Sequence, residues 1–365
     1  MQVSLHRAQL TYGKGLLLHT AASGPVRALD ALYLRIVGNG IEAVGETRLN
    51  VAYLNGLAAD QLIREALDLL TEFDLAAAID AGTVAVPLAA ASAPLRMMVD
   101  IALHDWAAKR RAVPLASLLA RGPAAEPVRS QTNQTLFISD EATFLGRAEA
   151  YVARGFRDLK VRIGAGNFAD DLKRLRLLRT RFGDTVDLAA DANGAWELEQ
   201  ARANLAELAP LDLLYVEQPV APGPLEPIAR LAESSPVPIM LDESLGSVDD
   251  AAALACSGHP LMAHLKLIKL GGLAPTLSAA RVLSAAGIPV MIGQMNEGGV
   301  ATAAALHLAA AIRPRFAELY GADGLADDPA AGLVYEDGRV EVPAGPGLGI
   351  SFDAQQTQTL WEDMR

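Results

Sequence analysis

The chain has 365 residues, with 31 Lys and Arg against 43 Asp and Glu and a net charge of −12. That acid excess excludes a general phosphate-backbone binder, which needs clustered basic residues, while leaving room for a local positive site. The single cysteine, Cys256, excludes an intramolecular disulfide and a thiolate zinc cage. The N-terminus lacks the apolar core of a signal peptide. The apolar stretches near 85–103 and 300–312 are broken by Pro87, Arg96 and Asp100, or by His307, and fall short of a membrane span. A cytoplasmic globular protein of two domains is expected, one that meets neither nucleic acid nor membrane.

Along the chain, 30–37 and 40–47 read as β-strands split by Asn39-Gly40, a strong hairpin signal. Helices are expected at 62–73, with Leu62, Ile63, Ala66, Leu67 and Leu70 on one face, and at 92–109. The first part is thus α+β. From about residue 126 short apolar runs alternate with amphipathic stretches. The runs lie at 128–133, 158–164, 186–192, 213–219, 239–244, 264–269, 289–295 and 317–323, and the stretches at 141–154, 169–182, 197–208, 274–286 and 299–312. That alternation predicts a closed parallel barrel. A final hairpin-like segment, LVYEDGRVEVP, falls outside it and is expected to return to the N-terminal domain.

Charge enters the barrel runs at particular places. Asp191, Glu217, Asp242 and Lys266 follow one another at intervals of 26, 25 and 24 residues, about one strand-helix unit each. They therefore occupy equivalent places on four successive strands, and barrel chemistry sits at the C-terminal strand ends. An isolated acid at a strand end is usually a turn or helix-capping residue. Three in register on consecutive strands point instead to a divalent cation, because converging carboxylates repel unless a cation neutralises them. Oxygen ligands suit Mg2+. Asn193, Gln218 and Glu243 adjoin the acids, as supporting groups or as plain caps.

Lys160 and Arg162 are two apart and share one face of their strand. In a half-exposed strand they would simply face water; in a closed barrel they must look inward. Lys266 arrives four strands further on, and a lysine beside a metal in a dry site is expected to have a lowered pKa and to act as a general base. Lys269 is read as a structural residue in the loop before Gly271-Gly272.

Other signals are weaker. GAGNFA (164–169) fits the dinucleotide fingerprint, but the strand before it carries Lys160 and Arg162 where a buried apolar one is needed. The six histidines show no ligand spacing; His307, in an apolar helix, reads as a hydrogen-bonded core residue and Cys256 as inert. Ser92 and Ser244 lack the context of a serine hydrolase.

With these residues in place, the chain resembles the muconate cycloisomerase-like branch of the enolase superfamily, the mandelate racemase/muconate lactonizing enzyme family. The resemblance rests on MMVDIALHDWAAKRRAVPLASLLARG (97–122), GFRDLKVRIGAG (155–166), DANGAW (191–196), YVEQPV (215–220), LDESL (241–245), HLKLIKLGGL (264–273) and MNEGGVATAAALHLAAA (295–311). It implies an α/β fold: an N-terminal α+β capping domain (1–122), a modified (β/α)7β TIM-type barrel (123–330), and a C-terminal segment (331–365) packed back on the cap. It also implies Mg2+ held by Asp191, Glu217 and Asp242, with Lys266 as acid/base on one face of a small carboxylate substrate. Lys160 matches the first residue of the family's Lys-x-Lys motif and is expected, with Lys266 and Arg162, among the catalytic residues, and Glu297 matches an acid near the end of the seventh strand, close to substrate. Cap loops around 12–18 and 50–55, the latter carrying Tyr53, would select substrate, and a homo-oligomer is usual. Arg162 departs from the pattern by standing where the second lysine belongs. Arginine rarely gives up its proton, so two-base racemisation is disfavoured, while bidentate grip of a carboxylate remains open to it.

The resemblance implies removal or addition of a proton α to a carboxylate through an enolate, a pattern established for this superfamily. Cycloisomerisation ranks first, ahead of epimerisation of an amino-acid or dipeptide derivative and of acid dehydration. An NAD-dependent dehydrogenase and a catalytically silent barrel are the readings outside the class.

Overall fold

The computed structural model describes residues 1–13, 16–72, 75, 79, 90–122 and 129–364. Lys14 and Gly15 of the first cap loop, Phe73, residues 85–89 of the first apolar stretch, and Val128 lie outside the described residues.

An antiparallel sheet opens the molecule, in the spatial order Gln358–Met364, Gln2–Thr11, Ala28–Gly38, Ile41–Arg48. Its central hairpin turns at Asn39-Gly40, both with positive φ as a tight two-residue turn requires. Helix Ala59–Glu72 buries Leu62, Ala66 and Leu70 in the core beneath this sheet. Helix Ala93–Arg110 is buried on nearly all sides because it is shared between sheet and barrel. Gly45 permits its close approach: a Cβ there would lie 1.8 Å from the Met98 carbonyl oxygen. Facing the barrel, Asp100 accepts from the Leu273 amide at 2.5 Å.

The barrel has eight parallel strands: Gln134–Leu136, Asp158–Arg162, Asp187–Asp191, Val216–Glu217, Ile239–Leu241, Leu261–Lys266, Val290–Gly293 and Phe316–Glu318. The Asn133 amide donates to the Ala317 carbonyl at 3.1 Å and links the first strand to the eighth. Short, wholly buried strands such as Gln134–Leu136 and Ile239–Leu241 carry no alternation, because helices cover one face and side chains fill the other.

Three expectations need correction. The first barrel strand is Gln134–Leu136, not 128–133. Residues Arg129–Gln131 instead pair with Arg339–Glu341, and their exposed Arg129 and Gln131 mark a strand outside the barrel. The hairpin Val334–Glu336/Arg339–Glu341 joins that same small sheet and does not return to the cap; strand Gln358–Met364 does, pairing with Gln2–Thr11. Lys269 lies on a helical turn, Leu267–Leu270, rather than in a loop. Among the described residues, no helix is long and apolar enough to cross a membrane.

Candidate active site

Parallel pairing sets the acids at one level. Arg162 is in register with Asp191, and Asp191 with Glu217; Asp242 follows the fifth strand directly. All three carboxylates are buried. In a β-strand residues two apart share a face, so Lys160 and Arg162 both enter the barrel, as do His264 and Lys266.

The protein's own cations offset much of the acid charge. Arg162 donates to Asp191 in a short contact. Lys160, with 0% exposure, donates to Glu217 at 2.8 Å, forms a short ion pair with Glu318 and lies 3.6 Å from Asp191. Lys266 donates to Asp242 at 2.5 Å, and Lys269 reaches the same carboxylate at 2.5 Å. Lys269 is thus structural in the sense that it anchors Asp242.

Burial and these contacts push each group in opposite directions. Burial would raise the carboxyl pKa of Glu217, Glu318 and Asp242, but neighbouring cations outweigh it and hold all three below the usual carboxylate range. The chief cations are Lys160 around Glu217 and Glu318, and Lys266 with Lys269 around Asp242; His264, whose own pKa burial and then Lys266 lower, serves Glu217 as a hydrogen-bond partner. Burial would lower Lys266, yet Asp242 and Glu217 outweigh it and push its pKa up. Beside Asp242, Lys266 is an ion-paired ammonium. Lys160 and Arg162 are raised in the same manner, with burial overcome chiefly by Glu217 and Glu318 for the lysine and by Glu318 for the arginine.

A cleft of about 420 Å³, its open mouth included, lies above this layer. Arg162 lines it from the second strand and Lys266 from the sixth, four strands apart in a ring of eight. Asn193 and Glu243 line it between them, joined at 3.1 Å, and Asn193 also donates its amide to Asp191 at 2.9 Å. Gln218 accepts from the Asp242 amide at 2.9 Å, so it braces the acid from below the rim. From the cap come Leu18, Thr20, Arg48 and the partly exposed Tyr53. Glu297 follows Met295 and Asn296, which line the cleft, and is itself buried with one carboxyl oxygen unpartnered; burial raises its pKa to about 7 despite the Met295 amide, Arg48 and Lys266.

Two buried residues of this layer escaped the sequence reading. Glu318 ends the eighth strand and accepts from Asn133 at 3.1 Å; an acid inside the apolar run FAELY was the available signal. His264 pairs with Glu217 at 2.9 Å, and a Cβ on Gly293 would lie 2.0 Å from its ring. Its position two residues before Lys266 was the clue, hidden by the lack of any metal-binding His spacing. Oxygens of Glu217 and Asp242 and a ring nitrogen of His264 lie within 4.8 Å of one another, close enough to hold a metal ion. Asp191 is not in that group, its carboxylate being turned to Arg162. His307, by contrast, is a core residue as expected, hydrogen-bonded to the Ala116 amide and the Leu348 carbonyl and lowered by burial to about 4.

Against known families, residues 144–356 match the model described as "Enolase C-terminal domain-like". The chain belongs to the enolase superfamily, in its mandelate racemase/muconate lactonizing enzyme family. A chloromuconate cycloisomerase from Pseudomonas putida is 33% identical over 70% of this chain and 69% of its own. An L-Lys-D/L-Arg epimerase from Methylococcus capsulatus is 34% identical over 70% of this chain and 72% of its own. The structure of muconate lactonizing enzyme from Pseudomonas fluorescens with muconolactone superposes with a TM-score of 0.84 at 27% identity, covering 97% of this chain and 96% of that one. This superfamily member is therefore an enzyme of the metal-dependent isomerase type, with a TIM-type barrel beneath an N-terminal cap. The dehydrogenase and silent-barrel readings fall away.

Proposed function

We propose that this enzyme is Mg2+-dependent and moves a proton α to a carboxylate, acting as a muconate-type cycloisomerase on an unsaturated dicarboxylate in the cytoplasm. The observation that carries this reading is the pair of cations facing each other across the cleft: an amine, Lys266, on one side and a guanidinium, Arg162, on the other. Cycloisomerisation needs a proton carrier on one face of the substrate only.

The donor chemistry fits the ion, since Asp191, Glu217 and Asp242 offer hard, buried oxygen ligands from three adjacent strands. When bound, Mg2+ would offset negative charge on the substrate carboxylate, which grows as the α-carbon gives up its proton. Lys266 exchanges that proton between its Nζ and the α-carbon. Arg162 keeps its own proton and grips a carboxylate oxygen. Lys160 touches Glu217 and Glu318 and holds the floor of the site in place. Asn193, Glu243, Glu297 and Tyr53 are the groups we assign to the substrate's surroundings.

Epimerisation of an amino-acid or dipeptide derivative is the second reading, favoured by the epimerase relatives, with acid dehydration behind it. Epimerisation requires a second proton carrier where Arg162 stands. Proton NMR separates these: with Mg2+ and cis,cis-muconate, lactone resonances should appear and should cease when the metal is chelated. Inversion of dipeptides or N-succinyl amino acids, without lactone formation from muconate, would overturn the first reading.

A further inference from the structure

The cap does more than lie over the barrel. Two barrel helices, Leu273–Ala285 and Gly299–Ile312, begin at glycine N-caps, Gly272 and Gly298, which have no side chain to satisfy the first amides. Carboxylates from the cap do so instead, Asp100 for the former and Glu46 for the latter. Glu46 is wholly buried and accepts from the amides of Gly298 at 2.6 Å and Ala301 at 2.9 Å. A Cβ on Gly298 would lie 2.7 Å from its Oε1, so the two positions suit each other. A carboxylate is also favoured by the helix dipole there.

Arg48 lies two residues along the same cap strand and therefore on the same face. Its guanidinium donates to the Met295 carbonyl in a short contact and to Asn296 O at 3.3 Å, and is itself steadied by Asn50 at 2.8 Å. Tyr12, also from the cap side, accepts from the Asn296 side chain at 2.9 Å. Asn296 has a left-handed φ of 55°, a conformation its neighbours must hold in place. The cap thus grips the segment Met295–Ala301 at two carbonyls, two amides and one side chain, while outside the cap Asp328 accepts from the Gly299 amide at 2.6 Å and Tyr320 donates to the Asn296 side chain at 3.3 Å. Within it stands Glu297, whose Oε2 accepts from the Met295 amide at 3.3 Å while its buried Oε1 has no partner.

We propose that Glu46 and Arg48 are positioning residues: through them the cap holds the seventh-strand loop and aims the free carboxyl oxygen of Glu297 at the substrate cleft. Glu46 and Arg48 act on the loop and Glu297 acts on the substrate. The groups facing Glu297 are Arg48 and Glu46 from the cap and Lys266 from the sixth strand; burial, then Asp328, pushes the Glu46 carboxyl well above the usual carboxylate range. The clamp stands on its own contacts, while the effect on turnover rests on the proposed proton transfer.

Hydrogen exchange tests the clamp without any substrate. In Arg48→Gln and Glu46→Gln, amides of 295–301 should exchange about tenfold faster, the effect of losing one strong hydrogen bond. Strands Asp187–Asp191 and Leu261–Lys266 should be unchanged. Asn50→Ala, which loosens Arg48 without stranding a buried charge, should give a smaller rise in the same segment and covers the case in which the first variants misfold. Unchanged exchange at 295–301 in the folded variants would overturn the proposal, as would a rise spread evenly over the chain. With a substrate that the wild-type protein turns over, Arg48→Gln should lower kcat more than it changes KM and move the Glu297-dependent limb of the pH profile above about 7. A purely structural role would leave that limb in place, and Arg48→Lys should recover part of the loss. Should the wild type turn over no carboxylate, the reaction assignment fails while the exchange result still decides the clamp.

Discussion

The second and sixth barrel strands bring the same kind of charge to opposite sides of one cleft and use it differently. On the second strand Lys160 is sealed among Glu217, Glu318 and Asp191, and Arg162 is committed to Asp191. On the sixth, Lys266 lines the cleft, and its partner Asp242 has a second cation in Lys269. A cation with a spare neighbour can move a proton without leaving a buried acid unpaired. One whose removal strands two carboxylates is part of the framework. The difference teaches that lysine count alone does not describe a two-sided acid/base site.

Removing Lys266 should have the largest effect. Lys266→Ala should lower turnover by about 10²–10⁴-fold, the usual worth of a general acid/base. Its circular dichroism and urea midpoint should stay near wild type because Lys269 still serves Asp242. Near-wild-type activity would break the comparison. Lys160→Met should act on stability instead, costing about 3–5 kcal/mol in urea unfolding, since Glu217 and Glu318 would be left buried without their ammonium. Arg162→Lys sharpens the contrast: an amine on the second side should bring measurable exchange at the opposite face of the substrate. The loss of the guanidinium grip should cost turnover on the order of 10-fold.

The smallest effect lies at the foot of the second strand. Burial, then Asp187, raises the Asp158 carboxyl from 3.8 to about 6. A folded-state pKa above the unfolded one means that ionising Asp158 costs stability as pH rises through about 6. Asp158→Asn should therefore stabilise the protein at pH 8 by on the order of 1 kcal/mol, allowing for its partial exposure, and by nothing near pH 3. Thermal melts at the two pH values check this, and a gain confined to low pH would contradict the sign.

Barrel and hairpin were legible in the sequence because their signals are local: the strand-helix period, Asn39-Gly40, and acids recurring about every 25 residues. What was not legible depends on distant pairing. Strand Gln2–Thr11 buries Ser4 and His6, which blurs its alternation, and its outer partner lies at the opposite end of the chain. Arg129–Gln131 looks like a barrel strand until its pairing with Arg339–Glu341 is seen. In the site, residue types and spacing gave Asp191, Glu217, Asp242, Lys160, Arg162 and Lys266, and the structure brings them into one buried layer. His264 and Glu318 were hidden because each gains its meaning only from a neighbour across the barrel, Glu217 in one case and Lys160 in the other.

The most direct test of a site with one proton carrier is to equilibrate muconolactone with the enzyme and Mg2+ in D2O and follow the two hydrogens on its α-carbon by NMR. A single deuterium should enter, at one of the two diastereotopic positions, and Lys266→Ala should abolish it. Exchange of both hydrogens at comparable rates, or racemisation of an enantiopure N-acyl amino acid under the same conditions, would show a second carrier and contradict the account.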